Sequence, residues 1–148
     1  MAAEPEQLHA LLMYCIDFAR TMLDDRGEFY PFGAVLNAKD EIEARGAWDG
    51  SERPIPSDIY KLMADSFRVE ARTGNIFAAA LAVNVNVPPQ YSSPHPDALR
   101  VSLESVAFSR FIYVPYKIDR TGILKQKRVA KFAEPFSVEV EPTLFKVV

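Results

Sequence analysis

Seven cations crowd into residues 110–131 (Arg110, Lys117, Arg120, Lys125, Lys127, Arg128 and Lys131), and Asp119 is the one acid among them. That window carries +6, so the rest of the chain carries -9 of the net charge of -3. A basic patch on an acidic protein recruits an acidic partner by charge complementarity, or is simply a solvated face. Arg110, Lys125, Lys127, Arg128 and Lys131 are its candidate contact residues. A second set is aromatic: Tyr30, Trp48, Tyr113 and Tyr116 each combine an apolar ring with a polar tip, as the walls of a small-ligand pocket do. Arg68 and Arg72, one helical turn apart, could clamp an anion or form an exposed face.

Catalytic and metal chemistry finds little to build on. The single cysteine, Cys15, lies in the middle of an apolar stripe with no histidine or basic residue one turn away, which describes a buried inert thiol. His9 and His95 stand far apart without a ligand motif around either, so no metal is expected. The glycines are scattered singly, which leaves neither a phosphate-cradling loop nor a dinucleotide fingerprint. No nucleophile elbow accompanies either histidine. No cofactor is expected, and the reading leans away from an enzyme.

The elements that would position these residues are clearer. With 148 residues, 49% hydrophobic and 25% charged, and a mean hydropathy of -0.06, the chain fits one soluble domain able to bury a core without staples. The acidic start Met1-Ala-Ala-Glu-Pro-Glu-Gln7 lacks the features of a signal peptide, and the longest apolar run, Ile76 to Val83, is too short to span a bilayer. A cytoplasmic protein without a membrane partner is expected. Pro5 opens a helix to about residue 25, with Leu8, Leu11, Leu12, Cys15, Phe18 and Ala19 at helical spacing and Gly27 as its stop. Phe32, Ala34 and Leu36 alternate, and so do Ile42, Ala44, Gly46 and Trp48 across a turn at Asn37-Ala-Lys-Asp40, which predicts a half-buried hairpin with Glu41, Glu43 and Arg45 outward. Ile59, Leu62, Met63 and Phe67 give a helix over 57–73. Residues 75–87 read as a strand despite their alanines, because valine dominates the second half and Asn84 and Asn86 alternate with it. A proline-stiffened loop follows, then a hairpin with Leu99, Val101 and Leu103 against Arg100, Ser102 and Glu104, and with Pro115 marking an edge or bulge. Residues 123–133 are ambiguous, with a basic strand favoured over a helix, and a short strand at 136–140 completes the set.

The fold expected is α+β: one antiparallel sheet of about five or six strands with two helices on one face, in the order α-β-β-α-β-β-β(-β). Residues 1–148 form a single domain, with 123–148 as a C-terminal arm or extra strands. The core expected comprises Leu11, Leu12, Cys15, Phe18, Phe32, Leu36, Phe67, Leu81, Val83, Val101 and Leu103.

Two stretches carry resemblances. Tyr30-Pro-Phe-Gly-Ala-Val-Leu36 followed by Glu41-Ile-Glu-Ala-Arg-Gly46 resembles the opening hairpin of nucleoside deaminases, but the next helix opens Pro56-Ser57-Asp58-Ile59-Tyr60 and carries none of their zinc ligands. The series of helix, Phe29-Tyr-Pro-Phe-Gly-Ala-Val-Leu36 hairpin, helix, Ala/Val strand and Val114-Pro-Tyr-Lys117 hairpin is similar to a group of small bacterial proteins of unknown function, over roughly residues 8–117. That resemblance implies a shared fold and supplies no activity. The element order is also similar to that of roadblock and longin-type modules, which implies a dimerising scaffold at fold level only.

Three readings of function stand. The leading one is a non-catalytic protein-binding or scaffold module, inhibitor- or immunity-like, acting as a homodimer or on an acidic protein partner. The alternative is a small-ligand or enzymatic pocket lined by aromatic residues. Nucleic-acid binding through residues 110–131 comes third, disfavoured by a pI near 5.4.

Overall fold

The computed structural model describes residues 3–124 and 127–146. Two helices, α1 (Pro5–Arg26) and α2 (Pro56–Arg72), pack on a sheet formed by β1 (Phe32–Asn37), β2 (Ile42–Arg45), β3 (Ile76–Asn86), β4 (Asp97–Ser105), β5 (Phe108–Thr121), β6 (Lys127–Phe132) and β7 (Phe136–Glu139). Every pairing is antiparallel, in the order β2-β1-β3-β4-β5-β6, with β7 also on β5. The α+β class and the single antiparallel sheet are as the sequence implies. No helix among the described residues is long and apolar enough to cross a membrane.

The helices lie on opposite faces of the sheet, not on one. Side chains alternate along a strand, and β3 shows the consequence: Ala78, Ala80 and Ala82 join the cluster under α1, while Ala79 and Leu81 join the one under α2. β1 divides likewise, with Ala34 and Leu36 toward α1 and Val35 toward α2. Strands apolar on both sides require a cover on both, which two helices on one face cannot give. The alanine stripe lets α1 approach closely. On the other side Gly33 serves the same end, since a Cβ there would stand 2.6 Å from the Ala80 carbonyl oxygen and 3.0 Å from the Phe67 ring.

Two expectations about burial are corrected. Phe18 is 39% exposed, because α1 buries Leu11, Cys15, Ala19 and Leu23 and leaves Phe18 at the flank, its ring 4.5 Å from that of Phe32. Leu12 is half-buried beside the same cluster. In β2, Ile42 is 37% exposed because α1 does not reach that edge strand, whereas Glu43 and Arg45 are half-buried. Arg45 donates to Glu43 at 2.6 Å and to Glu70 on α2 at 2.8 Å.

β5 is the longest strand, and one edge of it is shared by two partners. β7 pairs with Arg110–Tyr113 and β6 with Tyr116–Thr121, and the register slips by one residue between them. Pro115 sits at the slip. It has no N–H to continue the ladder, its carbonyl accepts the Ala133 N–H at 2.8 Å, and the extra residue lies opposite it within 133–135, so that of the edge or bulge expected at Pro115 a bulge is found. β6 is held to α1 by Asp24, whose carboxylate accepts the Ala130 N–H at 2.7 Å. Beyond β7 the chain recrosses the α2 face as a strap in which Leu144 and Phe145 are buried. The strap and Val106 of the β4–β5 turn line one open pocket, and at the other end of the described chain the Ala3 N–H donates to Ser105 beside that turn at 3.1 Å.

Candidate functional site

The candidate site forms on the α2 face of the sheet, at Arg100 in the middle of β4. Strand alternation points Leu99, Val101 and Leu103 into the α1 core and turns Arg100 and Ser102 to the other side, opposite Tyr113 and Phe111 of β5. α2 covers only part of that side, so Arg100 is neither free in water nor buried outright. Its guanidinium lies 4.2 Å from the centroid of the Phe111 ring and 5.9 Å from that of Tyr60 on α2. Both rings stabilise a cation, and they also fix the plane of the group.

Its hydrogen bonding is incomplete. Nε is buried and has no partner, and none of the ion pairs formed among the described residues involves Arg100. The other half-buried arginines are engaged, Arg45 with Glu43 and Glu70, Arg68 with Asp65, Arg110 with Glu139 at 2.9 Å, and Arg128 with the Asp25 carbonyl. Arg100 instead lines a cavity of about 510 Å³, together with Tyr30, Tyr60, Ser57, Asn84, the prolines at 31, 54 and 56, and one carboxylate, that of the exposed Glu28. The prolines hold their segments open, and Pro56 starts α2 as a first-turn residue whose missing N–H costs nothing. Ser57 and the first turn of a 17-residue helix therefore face the same space, and a helix start favours negative charge. The arrangement is suited to hold an anion against an aromatic wall.

The expected aromatic residues do not converge. Tyr30 lines the cavity, half exposed. Tyr113 is buried behind it as the strand partner of Arg100, stacked on Phe136 at 5.0 Å and flanked by Tyr91 at 5.6 Å. Tyr116 faces the α1 side, where its hydroxyl donates to Asn84 at 2.8 Å and where burial, then the charge of Asp97, raise its pKa. Trp48 is 74% exposed and donates its indole N–H to the Ser51 carbonyl.

The basic residues do not form one patch either. Arg110 pairs with Leu103 and Glu139 at one end of β5, whereas Lys127 and Arg128 pair with Thr121 and Arg120 at the other, on the order of 35 Å away at strand rise. Arg128 donates to the Asp25 carbonyl at the end of α1 at 3.2 Å, and Lys131 lies opposite Lys117. Lys125 falls outside the described residues. Arg68 is engaged by Asp65 at 2.6 Å and by the Thr143 carbonyl, so the pair with Arg72 is not a free clamp. Cys15 is fully buried, and burial pushes its thiol up to about 12.

Arg100 is the residue that strand alternation alone misassigns: it reads as a solvent-facing member of an Arg-Ser-Glu series. The signal available was position, since a charged residue central in a strand between two long apolar ones has little water to face. Comparison of the chain with protein-family models, curated proteins and solved structures gives no match.

Proposed function

We propose that this protein is a binding module for a small anionic molecule, seated between the start of α2 and strands β3 and β4 with Arg100 as its anchor. The observation that carries the reading is the guanidinium, buried at Nε without a partner and outside every ion pair described above. A carboxylate or phosphate oxygen in the cavity would accept from the guanidinium where it lines that space, a charge-assisted bond of about twice the neutral strength. Tyr30 and Tyr60 would hold an apolar portion of the ligand. In this reading the module is cytoplasmic and non-catalytic.

Calorimetric titration of a panel of small carboxylates and phosphates tests it, with Arg100→Met as the comparison. Wild type should bind at least one of them, and the variant should bind about 10–150-fold more weakly while keeping its thermal transition. A wild-type protein that binds none, or a variant that binds equally well, overturns the reading.

A second reading is favoured by the far end of β5–β6, where Ile123 and Leu124 are 99% and 97% exposed near Lys127 and Arg128. There the module would contact an acidic protein, or a second copy of itself in a homodimer. Light scattering across a concentration series checks the homodimer, and a strict monomer at tens of micromolar protein rejects it.

A further inference from the structure

The Arg100 cavity has a neighbour. A second, more enclosed cavity of about 200 Å³ lies deeper on the α2 face, beneath the strap of residues 140–144. Ala64, Leu81, Phe111 and Leu144 give it an apolar wall, whereas the Leu103 side chain beside them is turned to the α1 core. Of the charged groups in its lining, Arg68 pairs with Asp65, Arg110 with Glu139, and the buried Glu104 carboxylate accepts from the backbone of the strap, while Glu141 is exposed to solvent. Such a chamber suits an apolar occupant.

The two spaces share a lining residue. Tyr60 lines both, and its hydroxyl meets the Ser102 hydroxyl at 3.5 Å, at the edge of hydrogen bonding. Phe111, in the wall of the inner chamber, is the ring on which the Arg100 guanidinium rests. A rotation of Tyr60 would join the chambers, with the cation at the junction.

We infer that the two cavities are consecutive halves of one site whose ligand is an anionic amphiphile, its carboxylate or phosphate head on Arg100 and its slender unbranched tail passing Tyr60 into the chamber under the strap. The inference rests on the anion reading above and adds the tail. Branched or bicyclic tails would not pass between Tyr60 and Ser102.

A homologous series of straight-chain carboxylates from butanoate to decanoate, with the matching alkyl phosphates, tests it on the whole protein by calorimetry. Affinity should rise about fourfold per methylene until the inner chamber is full, then level off. Ala64→Leu, which fills that chamber, should flatten the rise while leaving butanoate binding within about twofold. Ser102→Leu, which narrows the passage, serves the same purpose should Ala64→Leu lose its cooperative melting. Arg100-dependent binding that does not change with chain length overturns this inference and leaves the anion reading standing. A length dependence that survives both chamber variants places the tail elsewhere and also overturns it. No binding by any member of the series overturns this inference, and the anion reading is then decided by the panel of small carboxylates and phosphates above.

Discussion

Glu104 is the residue on which the strap depends. Its buried carboxylate accepts the N–H groups of Thr143 at 2.7 Å, Leu144 and Phe145 at 2.6 Å, and the Ser109 hydroxyl at 3.2 Å. Glu104→Ala should therefore cost about 2–4 kcal/mol by urea unfolding, and hydrogen exchange at residues 143–145 should quicken before any other site. Cys15 makes a prediction of opposite character. Its thiol is held neutral, with a pKa moved from 9.0 to about 12, so the folded chain binds a proton that the unfolded chain gives up. The sign follows: its contribution is complete below pH 9 and falls by about 1.4 kcal/mol per unit as pH rises toward 12. Cys15→Ala should remove that part of the alkaline loss, as thermal melting at pH 8 and pH 10 would show. Gly33→Ala should cost about 1–3 kcal/mol, because the new methyl meets a backbone oxygen that cannot yield.

Among the elements, β6 depends on a single helix end. Asp24→Ala leaves the Ala130 N–H without its acceptor and should cost about 1–3 kcal/mol, with exchange quickened in β6 and unchanged in β3. The helices and strands were legible in the sequence because each has its own period. The Ala/Val run at 75–87 became β3, the ambiguous basic stretch contained β6, and Pro115 marked the bulge. The faces of the sheet were less legible. Ala78, Ala80 and Ala82 announce close packing but do not say which helix fills the space, and that question is decided by loops carrying α1 and α2 to opposite sides. The site was the least legible part. Alternation places Arg100 on the face away from Leu99 and Val101, yet the cover over that face comes from Tyr60, forty positions earlier, and from a strap at the chain's end.

For the molecule as a whole, the sheet is a wall one residue thick between two cores. Phe67→Ala on the α2 side and Leu11→Ala on the α1 side should each cost about 2–5 kcal/mol, and each should still unfold in one step, since β1 and β3 contribute alternate side chains to both cores. A separate transition for either side would show the cores to be independent. The β4–β5 turn, finally, receives the chain from both directions, with Ala3 held by Ser105 and the strap sharing a pocket with Val106. Two segments from opposite ends of the described chain that come to the same turn can be joined there and the chain opened elsewhere. A circular permutant linked across this turn and cut in the exposed loop at Gly50-Ser51 should fold to the same sheet, with its calorimetric transition lowered by only a few degrees.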